Sequence, residues 1–114
     1  GKDVIEGTVM GQALDINAPR AKAFDERMKK EYGKDYRWPV VAALGYDAGL
    51  LLVDALKRAG STDSAKLTEA LAAVKNLQVS TGIISLDANH NPVKSAVIIE
   101  MKDGKQTFKE KVNP

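Results

Sequence analysis

The sequence predicts a mixed α/β fold: three helices, preceded by one N-terminal strand and followed by a C-terminal antiparallel strand meander. Three observations carry this reading. Between Val40 and Gly60 apolar residues recur at steps of three and four, the spacing of one helix face. Shorter stretches after Pro19 and after Asp63 repeat that spacing. Beyond Ser80, β-branched residues crowd into short runs broken by the turn-forming stretches Asp87 to Pro92 and Asp103-Gly104, the pattern of hairpins.

Taken in order, Val4, Ile5, Thr8 and Val9 predict a strand over Asp3 to Met10, followed by a loop. Pro19 suits the first turn of a helix, and Phe24, Met28 and Tyr32 form its apolar stripe before Gly33 ends it. The run Val40 to Ala43 reads either as a short buried strand or as an apolar loop. The main helix follows, with Leu44, Ala48, Leu51, Leu52, Ala55, Leu56 and Ala59 on the face expected to be buried. Asp47 then falls in its first turn and Lys57 and Arg58 in its last, as the helix dipole favours, and Gly60 supplies a left-handed stop. Asp63 is the expected N-cap of the third helix, which carries Leu67, Ala70, Leu71 and Val74. Strands are expected at Thr81 to Leu86, Ala96 to Met101 and Gln106 to Val112, the last two joined by Asp103-Gly104.

Composition narrows the function. The 114 residues suit one domain, and 44% hydrophobic with 28% charged residues is ordinary for a globular chain. Seventeen basic against fifteen acidic side chains leave a net charge of +2 with no basic block, so nucleic acid is not an expected partner. The longest uninterrupted apolar run is too short to cross a bilayer. The absence of cysteine removes disulfides and thiolate metal sites. No export signal is present in the segment.

No nucleophile elbow, phosphate loop or zinc-protease motif occurs. His90, the single histidine, sits in a turn without a carboxylate or serine placed to work with it. Asp87, Asn89 and Asn91 imitate a calcium loop. Its sixth and twelfth positions, however, are Pro92 and Ile98 where glycine and a bidentate carboxylate are required. Asp47 beside Tyr46 reads either as an acid and a phenol in a cleft or as a helix-start carboxylate beside a packing ring. Glu6 and Asp15 read as isolated, solvated acids. Trp38 with Tyr36 reads as an aromatic wall for a ligand or as core. No enzyme activity, cofactor or metal is expected.

Several phrases in order carry a resemblance: VIEGTVM, PRAKAFDERMKKEYGKD, GYDAGLLLVDALKRAGSTDSAKLTEAL and STGIISLDANHNPVKSAVIIEMKDGK. Together they resemble the C-terminal portion of the branched-chain amino-acid (leucine/isoleucine/valine-type) substrate-binding proteins of ABC transporters, which have the type I periplasmic binding fold. The resemblance covers almost the whole chain and about the last third of such a protein. It implies a partial lobe of a two-lobe α/β protein. Residues 1–14 would be a hinge-proximal strand and loop, 15–80 a helical lobe segment and 81–114 the C-terminal strands. It implies capture of a branched-chain or other amino acid, or an aromatic acid, for a membrane permease outside the cytoplasm, in the periplasm or at the cell surface.

The ligand-facing loop of the family matches Val41, Ala42 and Ala43, which are small where the family often carries an aromatic. Trp38 would substitute for that aromatic. Gly11 and Gln12, in the loop Gly11 to Leu14, and Tyr46 complete the contacts that the resemblance implies. Such a segment is expected to self-associate, by exchanging helices or strands, or to have been cut from a longer protein. The alternative reading is a complete small α+β interaction module without a small-molecule ligand, which would expose no large apolar patch. A hydrolase using Asp47 is the third.

Overall fold

The computed structural model describes residues 2–34 and 39–114. Its elements run α1 (Lys2–Ile5), β1 (Val9–Gln12), α2 (Pro19–Tyr32), α3 (Pro39–Ala59), α4 (Ser64–Ala72), β2 (Leu77–Val79), β3 (Gly82–Leu86), β4 (Pro92–Val93), β5 (Ala96–Lys102) and β6 (Lys105–Val112). Tyr36 and Trp38 lie outside the described residues.

Helix boundaries follow local chemistry. Pro19 opens α2 at a position where a missing N–H costs nothing. Gly33, at φ 88°, ends it while its N–H reaches the Lys29 carbonyl. The Asp63 carboxylate accepts from the Lys66 N–H at 3.1 Å, a cap worth about 1 kcal/mol. Gly60, at φ 59°, closes α3.

Other expectations are corrected. The strand expected over Asp3 to Met10 is a one-turn helix followed by the four-residue β1. Gly7, at φ 78°, makes the bend between them, and its N–H bonds the Met101 carbonyl. The run Val40 to Ala43 is neither strand nor loop but the first turn of α3. Asp47 therefore sits in the third turn of that helix, beyond the reach of the dipole's positive end. The expected meander is divided between two antiparallel sheets, ordered β1-β5-β6 and β2-β3-β4, and β2 was not foreseen. Asp103 and Gly104 both take positive φ, 53° and 70°, as a type I′ hairpin turn requires. Glu6 is exposed but not isolated: its two carboxylate oxygens accept from the Asp103 and Gly104 N–H groups at 2.8 and 3.3 Å, clasping that turn.

The buried face of α3 also differs from the expected one. Ala43, Asp47 and Ala55 are the buried positions, with Leu50, Leu51 and Asp54 half-buried. Leu44, Ala48 and Leu52, all expected inside, are exposed. A helix apolar on every side has no face chosen by periodicity; its packing partners choose it. Here they are Phe24, Ala21 and Leu14, which close over Ala43, together with α4 and β2. Val41 is 64% exposed and Leu52 44%, so an apolar stripe runs free along α3. By length and composition α3 reaches what a bilayer span needs, yet its mid-helix carboxylate is bound to the β2–β3 turn, which docks it against protein.

Candidate functional site

The polar centre of the molecule is built by a carboxylate and a two-residue turn. Val79 pairs with Gly82, leaving Ser80 and Thr81 as the whole connection between β2 and β3. Asp47 is only 4% exposed, and its side chain meets that turn head-on. One carboxylate oxygen accepts from the Ser80 N–H at 2.7 Å and its hydroxyl at 2.5 Å. The other accepts from the Thr81 N–H at 3.0 Å and its hydroxyl at 2.6 Å. Four donors satisfy a buried anion, and that explains why it is tolerated. With its lone pairs so engaged, Asp47 is not a free acid or base. Tyr46 packs instead of acting with it, its ring 5.4 Å from that of Phe24 at 53°.

Lys94 extends the network. Its ammonium donates to the Thr81 hydroxyl and, at 3.4 Å, to the Ala13 carbonyl. Burial lowers the Lys94 pKa below the ordinary lysine range, and the nearby Asp47 charge pulls it back up.

Beside this network lies a cavity of about 560 Å³. On one side it is walled by the loop Ala13 to Asp15 and by residues Gln78 and Ser80 to Ile83, on the other by Val97, Phe108 and Lys111 of the β1-β5-β6 sheet. Arg20, in the first turn of α2, reaches its edge and donates to the Val79 carbonyl at 3.3 Å. The lining therefore combines apolar walls with two cations, Arg20 and Lys111, one carboxylate, Asp15, and the hydroxyls of Ser80, Thr81 and Ser95. A second cavity of about 260 Å³ opens between α2 and α3 beside Pro39.

The residues expected at the ligand are dispersed. Ala42 and Ala43 pack in the Leu14, Ala21 and Phe24 cluster, with Ala43 fully closed to solvent. Tyr46 stands next to them, and Val41 lies on the free stripe of α3. Gly11 and Gln12 are in β1, paired with Ile98 and Val97. Trp38 lies outside the described residues. None of the six described residues lines the larger cavity, although Ala13 and Leu14 of the expected loop do. The residues missed, Lys94, Ser80, Thr81 and Arg20, carried one legible signal, a Ser-Thr-Gly turn between short β runs.

The turn after β3 is closed by its own hydrogen bonds. The Asp87 carboxylate accepts from the Asn89 and Asn91 N–H groups, both at 2.8 Å, and His90 takes φ 65°. Among the described residues no three His, Asp or Glu side chains group around a metal position. Hydrogen bonding from Asn91 lowers the Asp87 pKa. A carboxylate with a depressed folded pKa contributes stability present above its unfolded value and lost as pH falls through the folded one. The side-chain carboxyl resonance of Asp87 should therefore titrate with its midpoint below about pH 4. A midpoint at or above that value would contradict the turn's geometry.

Two bodies, a helical one with its hairpins and a separate sheet, are joined by two chain crossings beside a cavity. That is the build of part of a two-lobe α/β binding fold. The profile of the periplasmic binding protein family matches residues 1–106, and the chain belongs to that family. Among solved structures it is similar to a leucine-binding protein of Thermotoga maritima, with 35% identity and a TM-score of 0.78 over 98% of this chain and 32% of that one. It is also similar to a branched-chain amino-acid substrate-binding protein of Streptococcus pneumoniae solved with isoleucine, with 32% identity and a TM-score of 0.75 over 93% and 30%. A solute-binding protein of R. palustris solved with benzoate shares 28% identity at a TM-score of 0.73 over 96% and 31%. The chain thus spans about a third of the length of the solved proteins it matches. No curated protein sequence matches it.

Proposed function

We propose that this chain is part of the solute-binding component of an ABC transporter, working in the periplasm or at the cell surface. It captures a small carboxylic acid for a permease and does not convert it chemically. The carrying observation is the cavity between the two bodies, whose lining combines apolar side chains with Arg20, Lys111 and Asp15. Leucine, isoleucine and benzoate, the solutes named with its relatives, share a carboxylate and an apolar body, the chemistry such a lining suits. Within the complete cleft, Val41, Ala42 and Tyr46 on α3, Ala43 behind them, Trp38, and Gly11 and Gln12 at the sheet edge remain the proposed contacts from this segment. One segment encloses little of a solute, so the 114-residue chain should bind only in the millimolar range, about −4 kcal/mol.

Amide shifts on titration with leucine, benzoate and glucose test the reading. The two acids should move Ser80 to Ile83 and Val97, or the residues flanking Val41, while glucose moves neither. Acids that move neither set, or glucose acting equally, would refute it.

The free stripe of α3 argues against a finished interaction module, which would not leave Val41, Leu44 and Leu52 in water. We expect the isolated chain to self-associate through it. Light scattering should give a dimer or larger species that Leu52→Glu returns to monomer, and a monomeric parent chain would dismiss this.

A further inference from the structure

Among the described residues, the backbone of the sheet β1-β5-β6 lies close mainly to its own strands, and that of α3 to α4 and β2. Two chain crossings join it to the rest: the exit from β1 at Gln12 and Ala13, and the entry to β5 at Ser95 and Ala96. The two are neighbours, since Gln12 pairs with Val97 up to the last rung of the ladder. Crossings of this kind turn on a few backbone dihedrals.

Lys94 lies at the neck, two residues before β5. Its ammonium donates to the carbonyl of Ala13, the first residue after β1, so it ties the outgoing crossing to the incoming one. It also donates to the Thr81 hydroxyl, which in turn donates to the buried Asp47 of α3. The run Lys94 to Thr81 to Asp47 is a chain of polarised hydrogen bonds ending on an anion. By contrast, the Asn17 amide meets the Gln106 carbonyl of the sheet at 3.5 Å and in solvent, at the limit of a hydrogen bond.

We infer that Lys94 is a positioning residue, pinning the neck to α3 and so setting the angle at which sheet and helical body face each other across the cavity. Its functional meaning rests on the solute-binding reading: the same angle sets the cavity's width. The pin itself does not depend on any solute.

Because the chain has no cysteine, a pair of spin labels can be placed cleanly, at Lys57→Cys near the end of α3 and Lys105→Cys at the start of β6. Pulsed EPR on the labelled 114-residue chain, without solute and mixed with an excess of unlabelled chain so that only distances within one chain register, should give a single narrow distance population. Lys94→Ala should shift it or add a second population, Lys94→Arg should restore the parent distance, and Lys75→Ala should leave it unchanged. If Lys94→Ala does not fold, Lys94→Met keeps the apolar stem and is read in the same way. A Lys94→Ala or Lys94→Met distribution that superimposes on the parent's, with normal circular dichroism, overturns the proposal. The leucine and benzoate titration is separate: it can fail while the distance result stands, and the reverse.

Discussion

Replacing Asp47 by alanine should destabilise the chain by about 3 kcal/mol, a large share of the roughly 5–15 kcal/mol that holds a domain folded. The substitution leaves the N–H groups and hydroxyls of Ser80 and Thr81 without their acceptor. Part of that cost is recovered because both residues are only half-buried and water can reach them. Asp47→Asn keeps the volume but turns an NH₂ toward donors, so it should be nearly as damaging. Either change also removes the negative charge that holds up the Lys94 pKa. Urea unfolding is the measurement, and with a slope of about 1–3 kcal/mol per molar the midpoint should fall by roughly 1–3 M. A midpoint within error of the parent's would mean that the carboxylate network adds nothing.

Phe24→Ala should cost about 3–4 kcal/mol. Phe24 is the largest side chain in the cluster with Leu14, Ala21 and Ala43, and it supplies the ring against which Tyr46 packs. Through it α2 docks on α3. Its loss leaves a cavity that the surrounding alanines are too short to fill. Phe24→Leu, keeping most of the volume, should cost about 1.5 kcal/mol or less. Amide exchange adds a local readout: α2 should lose protection ahead of α4 in the alanine variant. Equal protection in both helices, with a loss under about 1 kcal/mol, would mean that α2 is held by something other than this ring.

Much of the chain's punctuation was legible because its causes are local. Pro19, Gly33, Gly60 and Asp63 act within one helical turn of themselves, and Asp103-Gly104 carries its own turn geometry, so each stands where its residue type predicts. The buried face of α3 was not legible. Val40, Val41, Leu44, Leu50, Leu51, Leu52 and Val53 make the helix apolar all round, and periodicity cannot choose among its sides. Asp47 was misplaced for a related reason: its partners, Ser80 and Thr81, lie 33 and 34 residues away. Glu6 sits 97 residues from the turn that it clasps. The three residues of β2 are too few to establish a period.

By itself, then, the sequence determined α2 and α4, the stops of α2 and α3 at Gly33 and Gly60, the Asp103-Gly104 hairpin and the lack of thiol chemistry in this chain. The order of its phrases along the chain determined the family. Tertiary structure decided which side of α3 meets protein, how the C-terminal strands divide between two sheets, and where the cavity opens. It also decided that Asp47, Thr81, Lys94 and Ala13 meet at one neck. The physical reason is range: caps, stops and turns depend on atoms a few residues apart, whereas burial and charge pairing depend on groups that only the folded chain brings together.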